Sequence, residues 1–137
     1  MQFHTGRLID HVHLRARDFE STAKFYRAVL AVLEIPVTAS GEGWMQVDEL
    51  FIDAADPETP TSHVHLAFQA RDEEIVRKFH SAALAAGGQD NGGPGERSYH
   101  PGYFACFILD PDGNNIEAVY HGPSTRSAPS VIIDPTR

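Results

Sequence analysis

Apolar and polar residues alternate along 7–16 and again along 62–69, the two-residue period of a strand with one buried face. Residues 18–31 and 71–86 follow a longer rhythm. Phe19, Ala23, Tyr26, Leu30 and Leu33 recur at helical spacing around the first, and Ile75, Phe79, Ala82 and Ala86 along the second. Both segments are predicted to be helices, and Gly87-Gly88 closes the second. Short strands are predicted at 33–38, 43–47 and 49–54 after the first helix, and at 103–109 and 115–120 after the second. Asp110-Pro111-Asp112-Gly113-Asn114 marks a turn between the last two. Residues 90–98 read as a flexible loop. The tail, 122–137, is polar apart from Val131-Ile132-Ile133, and reads as a loosely ordered end or as an arm that adds an edge strand.

The pattern occurs twice. His11-Val12-His13-Leu14 returns as His63-Val64-His65-Leu66, 52 residues later. Phe25 and Leu30 in the first helix match Phe79 and Leu84 in the second, 54 residues later. Ile52-Asp53-Ala54 matches Ile116-Glu117-Ala118 at an offset of 64, so the second copy carries a longer loop, expected within 87–103. The chain therefore reads as one domain over 1–137 made of two copies of a unit, about 7–55 and 60–121, with the tail at 122–137. Two copies are a duplication, too few for a solenoid.

Composition narrows the function. The 137 residues carry a formal net charge of -8, which disfavours nucleic acid because no basic stripe exists to neutralise phosphates. It disfavours an anionic membrane surface as well. No apolar run reaches the roughly 20 residues of a membrane helix, and the N-terminus lacks a signal-peptide core. Cys106 is the single cysteine, which excludes an intrachain disulfide and a cysteine zinc cluster. A cytoplasmic location is expected. Eight histidines, two of them in each repeated strand, turn attention to metal binding and proton transfer.

Three stretches carry a family resemblance. Asp10-His11-Val12-His13-Leu14, with Asp18 and Phe25-Tyr26 after it, resembles an opening strand and helix of the vicinal oxygen chelate superfamily, which includes glyoxalases, bleomycin-resistance proteins and extradiol dioxygenases. Residues 63–68 resemble the opening strand of that family's second module. Tyr103 through Glu117, with its Asp110-Pro111-Asp112-Gly113-Asn114 turn, resembles the closing hairpin and is the most diagnostic part. The resemblance covers about 10–121. It implies an α+β fold of two tandem βαβββ modules forming a curved, cup-shaped mixed sheet.

It also implies a site. In this family a metal sits in the cup, and the matching positions here are His11, His63 and Glu117. Two imidazoles and one carboxylate suit a divalent ion such as Fe, Mn, Ni, Co or Zn and leave coordination positions open. Glu117 is then the expected catalytic carboxylate. Asp53, its internal counterpart, is a weak fourth candidate, one methylene shorter than the glutamate glyoxalase I-type members carry there. Strand alternation puts His13 and Arg15 on the face of His11, and His65 on that of His63. His13 and His65 are therefore candidate substrate contacts, together with Tyr99 and His100 beside the closing hairpin. Solvated strand-end histidines are the plainer reading of the same pattern.

The activity expected from the resemblance is that of a metal-dependent enzyme on a small oxygenated substrate, of lyase or isomerase type, working as a homodimer. The alternatives are a metal-free binding protein like the bleomycin-resistance proteins, to which the acidic charge would suit a cationic ligand, and an extradiol dioxygenase-like enzyme.

Overall fold

The computed structural model describes residues 9–125. The elements run β1 (Val12–Ala16), α1 (Phe19–Val32), β2 (Ala39–Gly41), β3 (Trp44–Val47) and β4 (Leu50–Ala54). There follow β5 (His65–Gln69), α2 (Glu73–Ala85), β6 (Gln89–Asp90), β7 (Gly95–Glu96), β8 (Phe104–Leu109) and β9 (Asn115–Tyr120). Residues 7 and 8 and the Val131-Ile132-Ile133 segment lie outside the described residues.

The strands form two mixed sheets, one per repeat. The first is ordered β1-β4-β3-β2, the second β5-β9-β8-β6 with β7 also paired to β8. In each, the opening strand lies parallel to the closing strand, and the registers correspond: Arg15 faces Asp53 in one, Ala67 faces Glu117 in the other. Asp53 and Glu117 are therefore equivalent in space as well as in sequence. Among the described residues β1 and β5 are both edge strands.

Alternation decides the faces. Leu14 and Ala16 are buried, while His13 and Arg15, which alternate with them, are half-buried on the opposite side. Phe25, Tyr26, Val29 and Leu30 of α1 join Met45, Ile52, Val76, Phe79, Ile108 and Ile116 in one continuous core drawn from both halves. Each such large side chain contributes about 1.5–3 kcal/mol on burial. The helices also pack on each other. Among the described residues no helix is long and apolar enough to cross a membrane.

Two predicted segments differ. Residues 33–38 are not a strand: Leu33 caps α1, Glu34 turns to φ 60°, and Ile35 N–H donates back to Leu30 O at 3.0 Å. Pro36 has no N–H for a ladder, so bonding to β3 begins only at Thr38, whose N–H donates to Gln46 O at 3.0 Å, ahead of β2. Residues 90–98 are not wholly loop, because β6 and β7 each add a two-residue rung to β8. The close of α2 follows the sequence. Gly87 adopts φ 98°, and Gly88 N–H donates to Ala83 O at 2.9 Å. A Cβ on Gly88 would lie 2.6 Å from Ile108 and 2.8 Å from Phe25, so the helix end presses against the sheet where no side chain fits.

The turn between β8 and β9 ties the halves together. Asp110, nearly buried, accepts hydrogen bonds from the Tyr26 hydroxyl at 2.6 Å and from Asn114 Nδ2, Asn114 N and Asp112 N at 2.9 Å. Burial, and then the neighbouring Asp110 charge, pushes the Tyr26 hydroxyl well above its ordinary range. Asp112 accepts from Thr22 Oγ1 at 3.1 Å and from Arg17 N at 3.0 Å.

Candidate active site

The repeated opening strands deliver the same pair of groups twice. His13 Nε2 donates to Asp53 Oδ1 at 2.7 Å, and Arg15 Nη1 stands 3.7 Å from the same oxygen. His65 Nε2 donates to Glu117 Oε1 at 2.9 Å. In each case the imidazole reaches diagonally from the edge strand to the carboxylate on its parallel neighbour. The two pairs differ in exposure. Asp53 is half-buried, while the Glu117 side chain is only 3% exposed. A carboxylate so enclosed is costly unless its oxygens find donors. Glu117 has two, because the Tyr103 hydroxyl donates to Oε2. Burial first, and then Glu117, raises the Tyr103 hydroxyl above its ordinary range, so Tyr103 stays a donor.

Aromatic rings surround that hydroxyl. Tyr103 packs edge-on to Tyr99 at 4.8 Å, to His121 at 5.3 Å and to His100 at 5.4 Å between centroids. Tyr99 itself is 71% exposed. His100 lies stacked on His121 at 5.1 Å. Its Nδ1–H donates to Pro101 O at 2.9 Å, so Nε2 accepts from His121 Nδ1–H at 2.8 Å. Burial, and then His100, holds His121 below the usual histidine range, with Glu117 opposing. The unfolded chain therefore takes up a proton at this position first as the pH drops. The resulting stability is complete above the ordinary histidine value near 6.5 and is lost as pH falls from there through the depressed folded value. Urea unfolding at pH 7.5 and pH 5 should show a larger loss in wild type than in His121→Asn; equal losses would refute the assignment.

On the first sheet, His11 lies one residue ahead of β1, exposed, with Nδ1 2.7 Å from Asp10 Oδ1. It lines a cavity of about 630 Å³ together with Asp10, His13, Gln46, Asp48 and Phe51. Trp44 stacks on Phe51 at 6.1 Å. His63 is exposed, two residues ahead of β5.

The structure thus brings His65 to Glu117, gathers Tyr99 and His100 around the tyrosine that holds Glu117, and puts His11 and His13 on one cavity. It does not gather His11, His63 and Glu117. Among the described residues no group of three or more His, Cys, Asp or Glu side chains is placed to hold one metal ion. The donor set is nevertheless of the right kind for a borderline divalent ion, two imidazoles and a carboxylate, distributed over two sheets. Cys106 is buried, with its thiol pushed up to about 11 chiefly by burial, and it fills core space as its apolar strand suggests. Sequence reasoning missed the His13–Asp53 pairing and the role of Tyr103. The parity of Tyr103 with Ala105 and Phe107, which share the face of Glu117, was the available signal.

The comparisons agree with this architecture. The family model described as the Glyoxalase/Bleomycin resistance protein/Dioxygenase superfamily matches residues 8–118. A search of curated proteins finds no match. Among solved structures, a glyoxalase/bleomycin resistance protein from Albidiferax ferrireducens is 28% identical, with a TM-score of 0.72 over 82% of this chain and 98% of its own. A glyoxalase-related enzyme from Fulvimarina pelagi, 20% identical, has a TM-score of 0.66 over 89% of this chain and 99% of its own. A lactoylglutathione lyase from Agrobacterium tumefaciens, also 20% identical, has a TM-score of 0.60 over 84% and 94%. With the two-module topology, the paired sheets and a family match over most of its length, the chain belongs to the glyoxalase/bleomycin resistance protein/dioxygenase superfamily.

Proposed function

We propose that this protein is a metal-dependent enzyme of lyase or isomerase type acting on a small oxygenated substrate, with a site completed between two copies of the chain. One observation carries the reading: the chain holds two equivalent histidine–carboxylate pairs on separate sheets, His13–Asp53 and His65–Glu117, each reaching from the edge of its sheet among the described residues. In this reading His11 joins the first pair and His63 the second. In a homodimer that sets the first half of one copy against the second half of the other, His11, His63 and Glu117 would hold a divalent ion, with Asp53 as a weaker fourth candidate.

Bound there, such an ion would act as a Lewis acid toward the oxygens of the substrate. The rest falls to the protein's own groups. Glu117 is the carboxylate for proton transfer, and His65 and Tyr103 fix its two oxygens while leaving each a free lone pair. His13, Tyr99 and His100 border the substrate. A metal-free binding protein is the second reading, favoured by the fact that both Glu117 oxygens already have donors. Iron uptake would instead point toward dioxygenase-like chemistry.

Metal content and subunit mixing test the proposal together. Untagged wild type, dialysed against Fe(II), Mn(II), Ni(II) or Zn(II), should retain about one ion per chain. His11→Ala and Glu117→Ala should each retain none. Co-refolded in equal amounts, the two variants should recover about a quarter of the wild-type content, because half the dimers are mixed and each mixed dimer has one intact site. Wild type that takes up no metal sinks the metal reading. Wild type that loads while the mixture stays empty sinks the shared site.

A further inference from the structure

Across the second sheet, three side chains stand in a row on one face. Glu117 lies on β9, and Phe107 is its direct partner on β8. Beyond Phe107, the Arg97 guanidinium sits over the phenyl ring, 5.3 Å from its centroid. The ring of His65, the imidazole that bonds Glu117, lies 5.9 Å from Phe107 on the same face.

Arg97 is held there by a loop shaped around it. Its Nη2 donates to Gly93 O at 2.8 Å and its Nη1 to Glu96 O at 3.2 Å. A Cβ on Gly92 would lie 3.3 Å from Nη2 and 3.2 Å from the Phe107 ring, and one on Gly95 would lie 3.2 Å from Nη1. The backbone thus closes on the guanidinium at two positions where a side chain would crowd it. Gly92 and its neighbour are anchored in turn to β8, through Asn91 N to Phe107 O at 2.9 Å and Phe107 N to Gly92 O at 2.8 Å. Among the described residues the partners of Arg97 are neutral carbonyls, so there its charge is oriented without being cancelled, in a chain of net charge -8. A guanidinium has five N–H donors, and those not spent on the loop are left for an anion. Stacking on a ring preserves the planar fork that binds a carboxylate bidentately.

We propose that Arg97 is an anion anchor, and that the row Arg97–Phe107–Glu117 takes a small planar compound bearing a carboxylate. The carboxylate meets the guanidinium, the flat body lies over Phe107, and the far end faces Glu117. The placement of a reacting end at Glu117 rests on the proposed function, whereas the anchor requires no metal. A loop staple, the competing role for Arg97, needs the two carbonyl bonds and no ligand.

The probes are benzoate and its neutral counterpart benzamide, each titrated into metal-stripped wild type and followed by two-dimensional amide NMR. Benzoate should bind saturably and at least about tenfold more tightly than benzamide, as expected for a charge-assisted contact. The largest shifts should fall at 92–97, 107 and 117, and added salt should weaken benzoate alone. In Arg97→Gln the preference for benzoate should vanish. Arg97→Lys, which keeps the charge without the fork and guards against a folding artefact, should retain part of it. Equal binding of the two probes by wild type, no saturable benzoate binding, shifts elsewhere, or an unchanged preference in Arg97→Gln would each overturn the anchor. Metal uptake by the same samples reads the proposed function separately: a benzoate preference in a protein that takes up no metal leaves the anchor standing and the metal reading fallen.

Discussion

Glu117→Ala is expected to weaken divalent-metal binding by more than about a hundredfold, beyond the range reached when only a ligand's supporting partner is lost, and to leave the protein folded. Three features carry the expectation. Glu117 is the carboxylate of the proposed ligand set, and its 3% exposed side chain has no room to be replaced by bulk solvent. Its donors, His65 and Tyr103, are themselves partly exposed and can turn to water when it is removed. Its counterpart Asp53 sits in a wetter place with Arg15 beside it, so Asp53→Ala should cost within about tenfold. Tyr103→Phe should fall between them, at about 10–100-fold, because it removes a bond that orients the carboxylate and no ligand. Calorimetric titration of the four proteins with Zn(II) checks the order. A loss in Asp53→Ala as large as in Glu117→Ala would promote Asp53 to a full ligand; unchanged affinity in Glu117→Ala would remove Glu117 from the set.

Asp110→Ala should destabilise the fold by about 3–5 kcal/mol, near the upper end for a single substitution. Its carboxylate satisfies four donors at once, from Tyr26, Asn114 and the backbone of Asp112 and Asn114. Alanine leaves the Tyr26 hydroxyl, on a side chain with no exposure, without an acceptor in the core, and such an orphaned group alone costs about 1–3 kcal/mol. Asp110→Asn keeps one acceptor oxygen and should recover part of the loss. With a urea slope of about 1–3 kcal/mol per molar, the Asp110→Ala midpoint should fall by roughly 2 M. A shift under about 0.5 M would show that the turn holds itself together without Asp110. The position also separates fold from site, because Asp110→Ala should change stability without changing metal selectivity.

The parts of the fold that were legible in the sequence are those with a repeating period or a strong turn. Leu14 and Ala16 alternate with His13 and Arg15, Phe79 and Ala86 mark a helix face, and the turn from Asp110 to Asn114 closes a hairpin, as predicted. β6 and β7 escaped because two residues cannot show a period; only their pairing with β8 defines them. The strand expected at 33–38 failed because apolar character at Leu33, Ile35 and Val37 reflects packing against the core, while Pro36 and the backbone at Glu34 forbid a ladder. The site was legible in kind more than in arrangement. The family resemblance pointed to Glu117, and strand alternation to His13 and His65, yet which imidazole meets which carboxylate depends on the register between β5 and β9, and no local pattern encodes it. The Asp53 pairing was hidden for the same reason.

The shared core has a consequence for how this duplicated chain can change. Tyr26 and Thr22 of the first unit close onto Asp110 and Asp112 of the second, and Phe25 lies against the helix end at Gly88. Neither unit keeps its apolar surface to itself, because buried residues of both halves form one cluster. A substitution that loosens one copy is felt at once in the other, and the two histidine–carboxylate pairs are free to diverge in chemistry only within limits that both halves of the scaffold tolerate.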